Sequence, residues 1–272
     1  MVEPGHTYLD EIVGRSQRRL DEARARVPLG KLQQEAEQRS DHRNFVSALS
    51  GIALRIIAEL KRASPSRGLL RRDYRRHKLA RAYESAGASA LSVLTEEHFF
   101  LGSLDDLRRV REAVSLPVLR KDFVLDAYQV FESVVAGADA LLLIAAILPD
   151  KELRKLIELC DQLGIAALVE VHTEEELDRA LSAGARIIGV NNRNLKTMEV
   201  DLETSFRLRK KIPSSCLAIS ESGIKTGDEL FRLAQAGYNA ALVGERLLGA
   251  EDPGKELSEL LTGARELVRP RG

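Results

Sequence analysis

Four times the chain ends a helical pattern on Ala-Gly and runs straight into an apolar stretch. The instances are "AGASAL" at Ala86, "AGADAL" at Ala136, "AGARII" at Ala183 and "AGYNAAL" at Ala236. Glycine suits the position that stops a helix, and the apolar run after it predicts a buried strand. The glycines, Gly87, Gly137, Gly184 and Gly237, lie about 50 residues apart, which leaves room for two strand–helix units in each repeat. Four more candidate strands lie between them: "LRIIAELK", "LPVLRKDF", "GIAALVEV" and "CLAISESG". Four repeats of two units make eight strands.

The intervening helices are one-sided. "TEEELDRALSAG" sets Thr173 three residues before Glu176, the spacing of a capping box, with Leu177, Ala180 and Leu181 on one face. Thr226 and Glu229 repeat the device, and Leu153, Leu156, Ile157 and Cys160 share another face. Strands alternating with such helices form parallel βαβ units. Eight of them predict an α/β fold closed into a (βα)8 TIM barrel, a size of about 250 residues that suits a chain of 272. An open doubly wound sheet is the alternative, but no Gly-x-Gly-x-x-Gly follows the first strand. The barrel is assigned to residues 51–272 and an N-terminal helical extension to residues 1–50, as a single domain overall. Within the extension, "YLDEIVGRSQRRLDEARARV" reads as an amphipathic helix and "KLQQEAEQR" as a second. They either cap one barrel end or contribute to an active-site rim.

Charge excludes some functions. Lys plus Arg and Asp plus Glu are both 41, so no global field favours a nucleic-acid or anionic-membrane partner, and an anion needs a local site. The opening segment is polar, and the longest apolar run, Ala140 to Leu148, is about half a bilayer span. Cys160 and Cys216 are isolated, as expected of free thiols in a cytoplasmic protein. The five histidines are scattered, so neither a metal nor a cofactor is expected.

In barrels of this kind the active site sits at the C-terminal ends of the strands. The first strand ends "AELKRASPSRG", with Glu59 and Lys61 two residues apart and therefore on one face. In the same register the third strand offers Lys121 and Phe123, the fifth Glu170 and His172, and the sixth Asn191 and Arg193. The seventh offers Ser220, Glu221, Ser222 and Gly223, and the eighth Gly244 and Glu245. Such a mouth is either a catalytic site or a stabilising ion-pair network. Ser222-Gly223 and Gly244-Glu245 suit a phosphate held on backbone N–H groups after the last two strands, or are ordinary turns. Glu245 is expected to offer its N–H with its carboxylate turned away. Ser64 and the "SPSRG" loop read as a lid or as a plain turn, and "RRDYRRHK" as charged helix surface.

These residues carry a resemblance. From about residue 6 to 265 the chain resembles the indole-3-glycerol-phosphate synthase family, with "IIAELKRASPSRG", "LSVLTEEHFFLGS", "PVLRKDFVLDAYQV", "ALVEVH", "IGVNNRNL", "AISESGI" and "ALVGERLL" in family order. The first, third and fifth are specific to it, whereas the last two resemble phosphate loops of many barrels. The resemblance implies a decarboxylating, dehydrating ring closure of a phosphosugar, 1-(2-carboxyphenylamino)-1-deoxyribulose 5-phosphate, in tryptophan biosynthesis; a monomer or weak oligomer is expected. By analogy Lys121 is the general acid, its pKa lowered by nearby Lys61. Glu170 is the base, and either lysine assists dehydration. Glu59 orients Lys61, Asn191 holds a substrate oxygen, Phe123 packs on the ring and Arg193 pairs with the carboxylate. Three rivals remain: a phosphoribosylanthranilate-isomerase-like barrel, which needs a cysteine and an aspartate at strand ends, a Schiff-base aldolase using Lys121, and a non-catalytic phosphosugar-binding barrel.

Overall fold

A computed structural model describes residues 7–65, 67–194 and 197–266. Among them, eight parallel strands close into a barrel in chain order: β1 (Arg55–Leu60), β2 (Ala90–Leu94), β3 (Val118–Lys121), β4 (Ala140–Ile144), β5 (Ala166–Val171), β6 (Ile187–Asn191), β7 (Leu217–Glu221) and β8 (Ala240–Val243). β1 pairs with both β2 and β8, which completes the ring and rules out the open sheet.

The Ala-Gly repeat does what its spacing implies. Gly87, Gly137, Gly184 and Gly237 all have φ between +89° and +98°, a conformation that costs glycine little. The residue after each glycine returns its N–H to a carbonyl five residues back, as in Ala88 to Tyr83 and Ala138 to Ser133. Gly164 makes the same stop before β5, with φ +71°, although its sequence "LGIAAL" hides it from the repeat.

Alternation splits the apolar residues into two bodies. Ile57, Leu119, Leu142, Leu168, Ile219 and Leu242 fill the barrel interior, while the alternate residues Ile56, Leu91, Leu141, Val169 and Ala241 pack beneath the helices. Removing each such leucine or isoleucine from water contributes about 1.5–3 kcal/mol. The interior stops being apolar at the strand ends, where Glu59, Glu170 and Glu221, each the last or second-to-last residue of its strand, take over.

The N-terminal segment does both things proposed for it, with different helices. Helix α1 (Tyr8–Arg26) starts on a complete capping box between Thr7 and Asp10, and α2 (Leu29–Glu37) follows. Ile12 of α1 is buried in the interior cluster beside Phe123, at the open end. A third helix not anticipated from sequence, α3 (Phe45–Leu49), sends Phe45 and Leu49 into the same cluster just before β1, and so plugs the other end. Tyr128 donates from its hydroxyl to the carbonyls of Ala23 and Val27, fastening the end of α1 to the helix after β3. In "RRDYRRHK" only Arg76 onward is helical; Arg71 precedes the helix and donates to the carbonyl of Ala250. No helix among the described residues is long and apolar enough to cross a membrane.

Candidate active site

At the C-terminal ends of the strands lies a cavity of about 530 Å³. Glu59, Lys61, Lys121, Phe123, Glu170, Asn191, Arg193, Ser222, Gly223, Gly244 and Glu245 all line it, so the strand-end register read from sequence holds around the ring. Ser64 lines a small annex beside it, shared with Lys61 and Phe123. Ser64 and Gly68 pair in a two-residue hairpin; Ser66, in the same "SPSRG" loop, lies outside the described residues, as does Leu195 of "IGVNNRNL".

The floor of the cavity is ionic. Lys121 Nζ lies 2.7 Å from Glu221 Oε2 and 3.1 Å from Glu170 Oε2, and Lys61 Nζ lies 2.5 Å from Glu59 Oε1. Glu59, Glu170 and Glu221 are each no more than 3% exposed. Burying a carboxylate costs several kcal/mol unless it is paired, so a barrel gains nothing in stability by placing three together. The three carboxylates also outnumber the two ammoniums, Lys61 and Lys121. That imbalance appears in the acidities: burial raises the carboxyl of Glu221 to about 7, with Lys121 opposing and Glu170 adding to the rise. Glu170 moves the other way. Burial works against its charge, but the cations Lys121 and His172 and a hydrogen bond from Asn191 hold it below the ordinary value. Two carboxyls sharing one ammonium are thus driven apart, the arrangement that separates a base from an acid.

Lys121 departs from the sequence-based expectation. Burial alone lowers it, yet Glu221, Glu170 and Glu59 together raise it above an ordinary lysine. Lys61 does not depress it, because its charge is already spent on Glu59. A raised value keeps the ammonium of Lys121 charged, so its proton is available only to a strongly basic oxygen such as an alkoxide, which is about as basic as hydroxide.

Two glycines make room for the carboxylates. A Cβ at Gly189, which faces inward between β5 and β7, would overlap Oε1 of Glu221. A Cβ at Gly244 would overlap Oε1 of Glu59 and sit 2.9 Å from its Cβ. After β7, Ser222 and Gly223 are consecutive left-handed residues at the rim, with φ +67° and +82°. For a serine that is strained backbone of the kind that gathers at ligand sites. Asn192 splints this turn: its amide donates to the carbonyls of Glu221 and Ser222 and to Ser220 Oγ, while its oxygen accepts from Ser205.

The Glu245 carboxylate is held by two arginines. It pairs with Arg67 Nε at 2.5 Å and Arg193 Nη2 at 3.0 Å, drawing three loops together over the glycine turns. Arg193 is therefore engaged within the protein. The apolar side of the cavity holds Phe100 and Phe123, ring centroids 6.2 Å apart, with Leu9 and Ile12 of α1 behind them in the annex. Glu96 shapes the loop that delivers Phe100 by accepting the N–H groups of His98, Phe99 and Phe100.

Sequence reasoning left Glu221, Phe100 and Asn192 out of the site. Glu221 was visible at a strand end, but the run Ser-Glu-Ser gives no apolar alternation to say which residue faces in. The rival isomerase reading fails on position: Cys216 sits at the start of β7, buried, with its thiol against the carbonyl of Ala185. Among the described residues no group of three or more His, Cys, Asp or Glu side chains is placed to hold a metal.

Comparison with known proteins identifies the family. The family described as indole-3-glycerol phosphate synthase matches residues 9–260. A protein of that name from Polaromonas naphthalenivorans (strain CJ2) is 48% identical over 256 residues, 93% of this chain and 97% of its own. One from Dehalococcoides mccartyi (strain CBDB1) is 47% identical over 257 residues, 93% of this chain and 99% of its own. Among solved structures, 3-hexulose-6-phosphate synthase from Salmonella typhimurium superposes with a TM-score of 0.61 over 77% of this chain and 99% of its own at 13% identity. Thiamine phosphate pyrophosphorylase from Pyrococcus furiosus gives 0.60 over 79% and 98% at 17% identity. At such identities these two share the fold alone.

Proposed function

The chain belongs to the indole-3-glycerol phosphate synthase family, and from that premise we propose how its cavity closes the indole ring. The reaction converts 1-(2-carboxyphenylamino)-1-deoxyribulose 5-phosphate to indole-3-glycerol phosphate, releasing carbon dioxide and water. The enzyme is a carboxy-lyase of tryptophan biosynthesis.

The observation that carries the assignment of roles is the ammonium of Lys121 set between Glu170 and Glu221 at the cavity floor. The aromatic carbon bearing the carboxylate attacks the sugar ketone. A carbon–carbon bond forms, and the ketone oxygen takes the displaced electron pair. Lys121 gives that oxygen its proton, making a hydroxyl. The carboxylate leaves as carbon dioxide, and its bonding pair restores the aromatic ring. Glu170, kept ionised, takes a proton from the new five-membered ring while a lysine protonates the departing hydroxyl, which leaves as water. Lys61 and Lys121 both remain candidates for that last transfer. Glu59 holds Lys61 toward the cavity, and Asn191 fixes Glu170 and faces the substrate's oxygens. Phe123 with Phe100 stacks the anthranilate ring. The phosphate takes the turns at Ser222-Gly223 and Gly244-Glu245, close to Arg67 and Arg193, and Ser64 lies at the ring side.

The remaining elements of the reading are supported by composition and placement. A cytoplasmic monomer or weak oligomer without a nucleic-acid partner fits the equal totals of basic and acidic residues and the buried thiols of Cys160 and Cys216. Residues 1–50 are taken as an extension of one domain whose barrel runs over 51–272; residues 1–6 and 267–272 lie outside the described residues. The deciding assay uses the absence of tryptophan from the sequence. Indole fluorescence should rise on incubation with substrate against almost no protein background, and a flat signal with bound substrate would leave only a phosphosugar-binding barrel.

A further inference from the structure

His172 is half-buried just past the end of β5, and the reaction as described does not use it. Its surroundings are built. Thr173 caps the following helix (Glu174–Ser182), and its hydroxyl accepts the N–H of Glu176. The reciprocal arm of that capping box is missing, because the Glu176 carboxylate has moved one residue back. Its Oε2 accepts the backbone N–H of His172 at 2.7 Å and faces ring Nδ1 at 3.1 Å. In the like-built pair, Glu229 Oε2 accepts the N–H of Lys225 and also that of Thr226, completing its box; what is particular to Glu176 is that it forgoes the Thr173 N–H and faces the His172 ring. On the other side of the ring, Nε2 lies 3.5 Å from Glu170 Oε1 and has no hydrogen-bond partner.

We propose that His172 is a positioning residue for ring closure: pinned at Nδ1 by Glu176, it presents Nε2–H to Oε1 of Glu170, leaving Oε2 to face Lys121 and the substrate. The inference rests on Glu170 being the base. The charged groups facing the ring are Glu176 from its own helix, Glu170 from β5 and Glu221 from β7, with Lys121 beyond Glu170. Burial disfavours the imidazolium, but these three carboxylates outweigh it and raise His172 above the ordinary histidine value. A cation there in turn helps to keep Glu170 ionised. The oxygen that abstracts the proton is thereby chosen by the residue two places along the chain.

The test combines histidine-labelled NMR with kinetics on the full chain. The imidazole signal lost in His172→Gln identifies the residue among five histidines. In the wild type it should titrate above the free value of about 6.5, and Glu170→Gln and Glu176→Gln should each bring it down. In His172→Gln, kcat should fall about tenfold, short of the about 10² to 10⁴ expected for losing the base itself, with KM changed by less than about twofold. The acid limb of kcat/KM should rise by about one pH unit, as for loss of a nearby opposite charge. Should His172→Gln fail to fold, the wild-type titration and Glu176→Gln, which keeps an acceptor for both N–H groups, carry the test. A His172 signal at the free value that ignores Glu170→Gln, or a folded His172→Gln with wild-type kcat and acid limb, overturns the inference. Wild-type turnover in Glu170→Gln instead overturns the base assignment and leaves any His172–Glu170 coupling standing.

Discussion

The ammonium of Lys121 lies 2.7 Å from Oε2 of Glu221, closer than the 3.1 Å that separates it from Glu170. The nearer carboxylate is nevertheless the one whose burial raises it to about 7, because three acids share two ammoniums on the cavity floor. The site therefore holds a titration near neutrality that belongs to no histidine. Glu221 is expected to be protonated on the acid side of that value and ionised on the alkaline side, where Lys121 should acquire its second anion. Carbon-13 spectra of glutamate-labelled protein should show one carboxyl titrating at about 7. The signal should vanish in Glu221→Gln, and a complete set of carboxyls titrating below 5 in the wild type would contradict the charge count.

Removing either proton carrier should affect the chemistry far more than binding. Lys121→Ala and Glu170→Gln are each expected to lower kcat by about 10² to 10⁴, the usual worth of a general acid or base. KM should change much less, because phosphate and ring are held elsewhere in the cavity. Steady-state indole fluorescence reads both parameters, and near-wild-type rates in both variants would remove the assignment.

What was legible beforehand followed from alternation. Glu59 with Lys61 and Lys121 with Phe123 are two residues apart, so each pair shares a face, while the Ala-Gly repeat counted the strands and left the register of each strand end open. What depends on contacts between distant strands stayed hidden. Glu221 shares the inward face of Ile219, but its carboxylate fits there because Gly189, on the neighbouring strand, leaves the space empty. The acidity of Lys121 depends on which carboxylates reach it, and its neighbour Lys61 proved to be committed to Glu59. The carboxylate of Glu245 joins Arg67 and Arg193, which are far apart in the chain. A local rule also failed locally: the spacing of Thr173 and Glu176 was right, but His172 took the carboxylate.

The empty space at Gly189 is open to direct test. In Gly189→Ala the new Cβ would overlap Oε1 of Glu221 and lie 3.2 Å from Leu168 Cδ1, so something in a packed interior must shift. Overpacking of this kind costs about 1–3 kcal/mol of stability. The carboxylate is the part least able to stay, and with it goes the closer partner of Lys121. Urea unfolding should show that loss of stability while kcat falls, and a variant unchanged in both would mean that Glu221 has another resting place.

The neighbour of Lys121 in sequence faces the opposite way and serves stability. Asp122 is fully buried; its Oδ2 accepts from Arg19 of α1 at 2.9 Å, Arg120 at 2.8 Å and Thr95 Oγ1 at 2.6 Å, and its Oδ1 takes the N–H of Phe123 at 2.8 Å. Burial opposes its charge, but Arg19 and Arg120 hold the carboxyl well below the usual carboxylate range. Asp122→Asn leaves the buried guanidinium of Arg120 with only Glu132 as a charged partner, and breaking such a pair costs about 3–5 kcal/mol. Because the folded value is depressed, this contribution is complete above the unfolded value of about 3.9 and disappears as pH falls through it toward the folded one. The gap in unfolding free energy between wild type and Asp122→Asn should therefore be wide at pH 7 and narrow progressively below pH 4. A gap of constant width would mean that Asp122 acts through shape alone. The same substitution loosens the peptide joining Lys121 to Phe123, so kcat should fall with stability, and the two losses together would tie the N-terminal helix to the chemistry it covers.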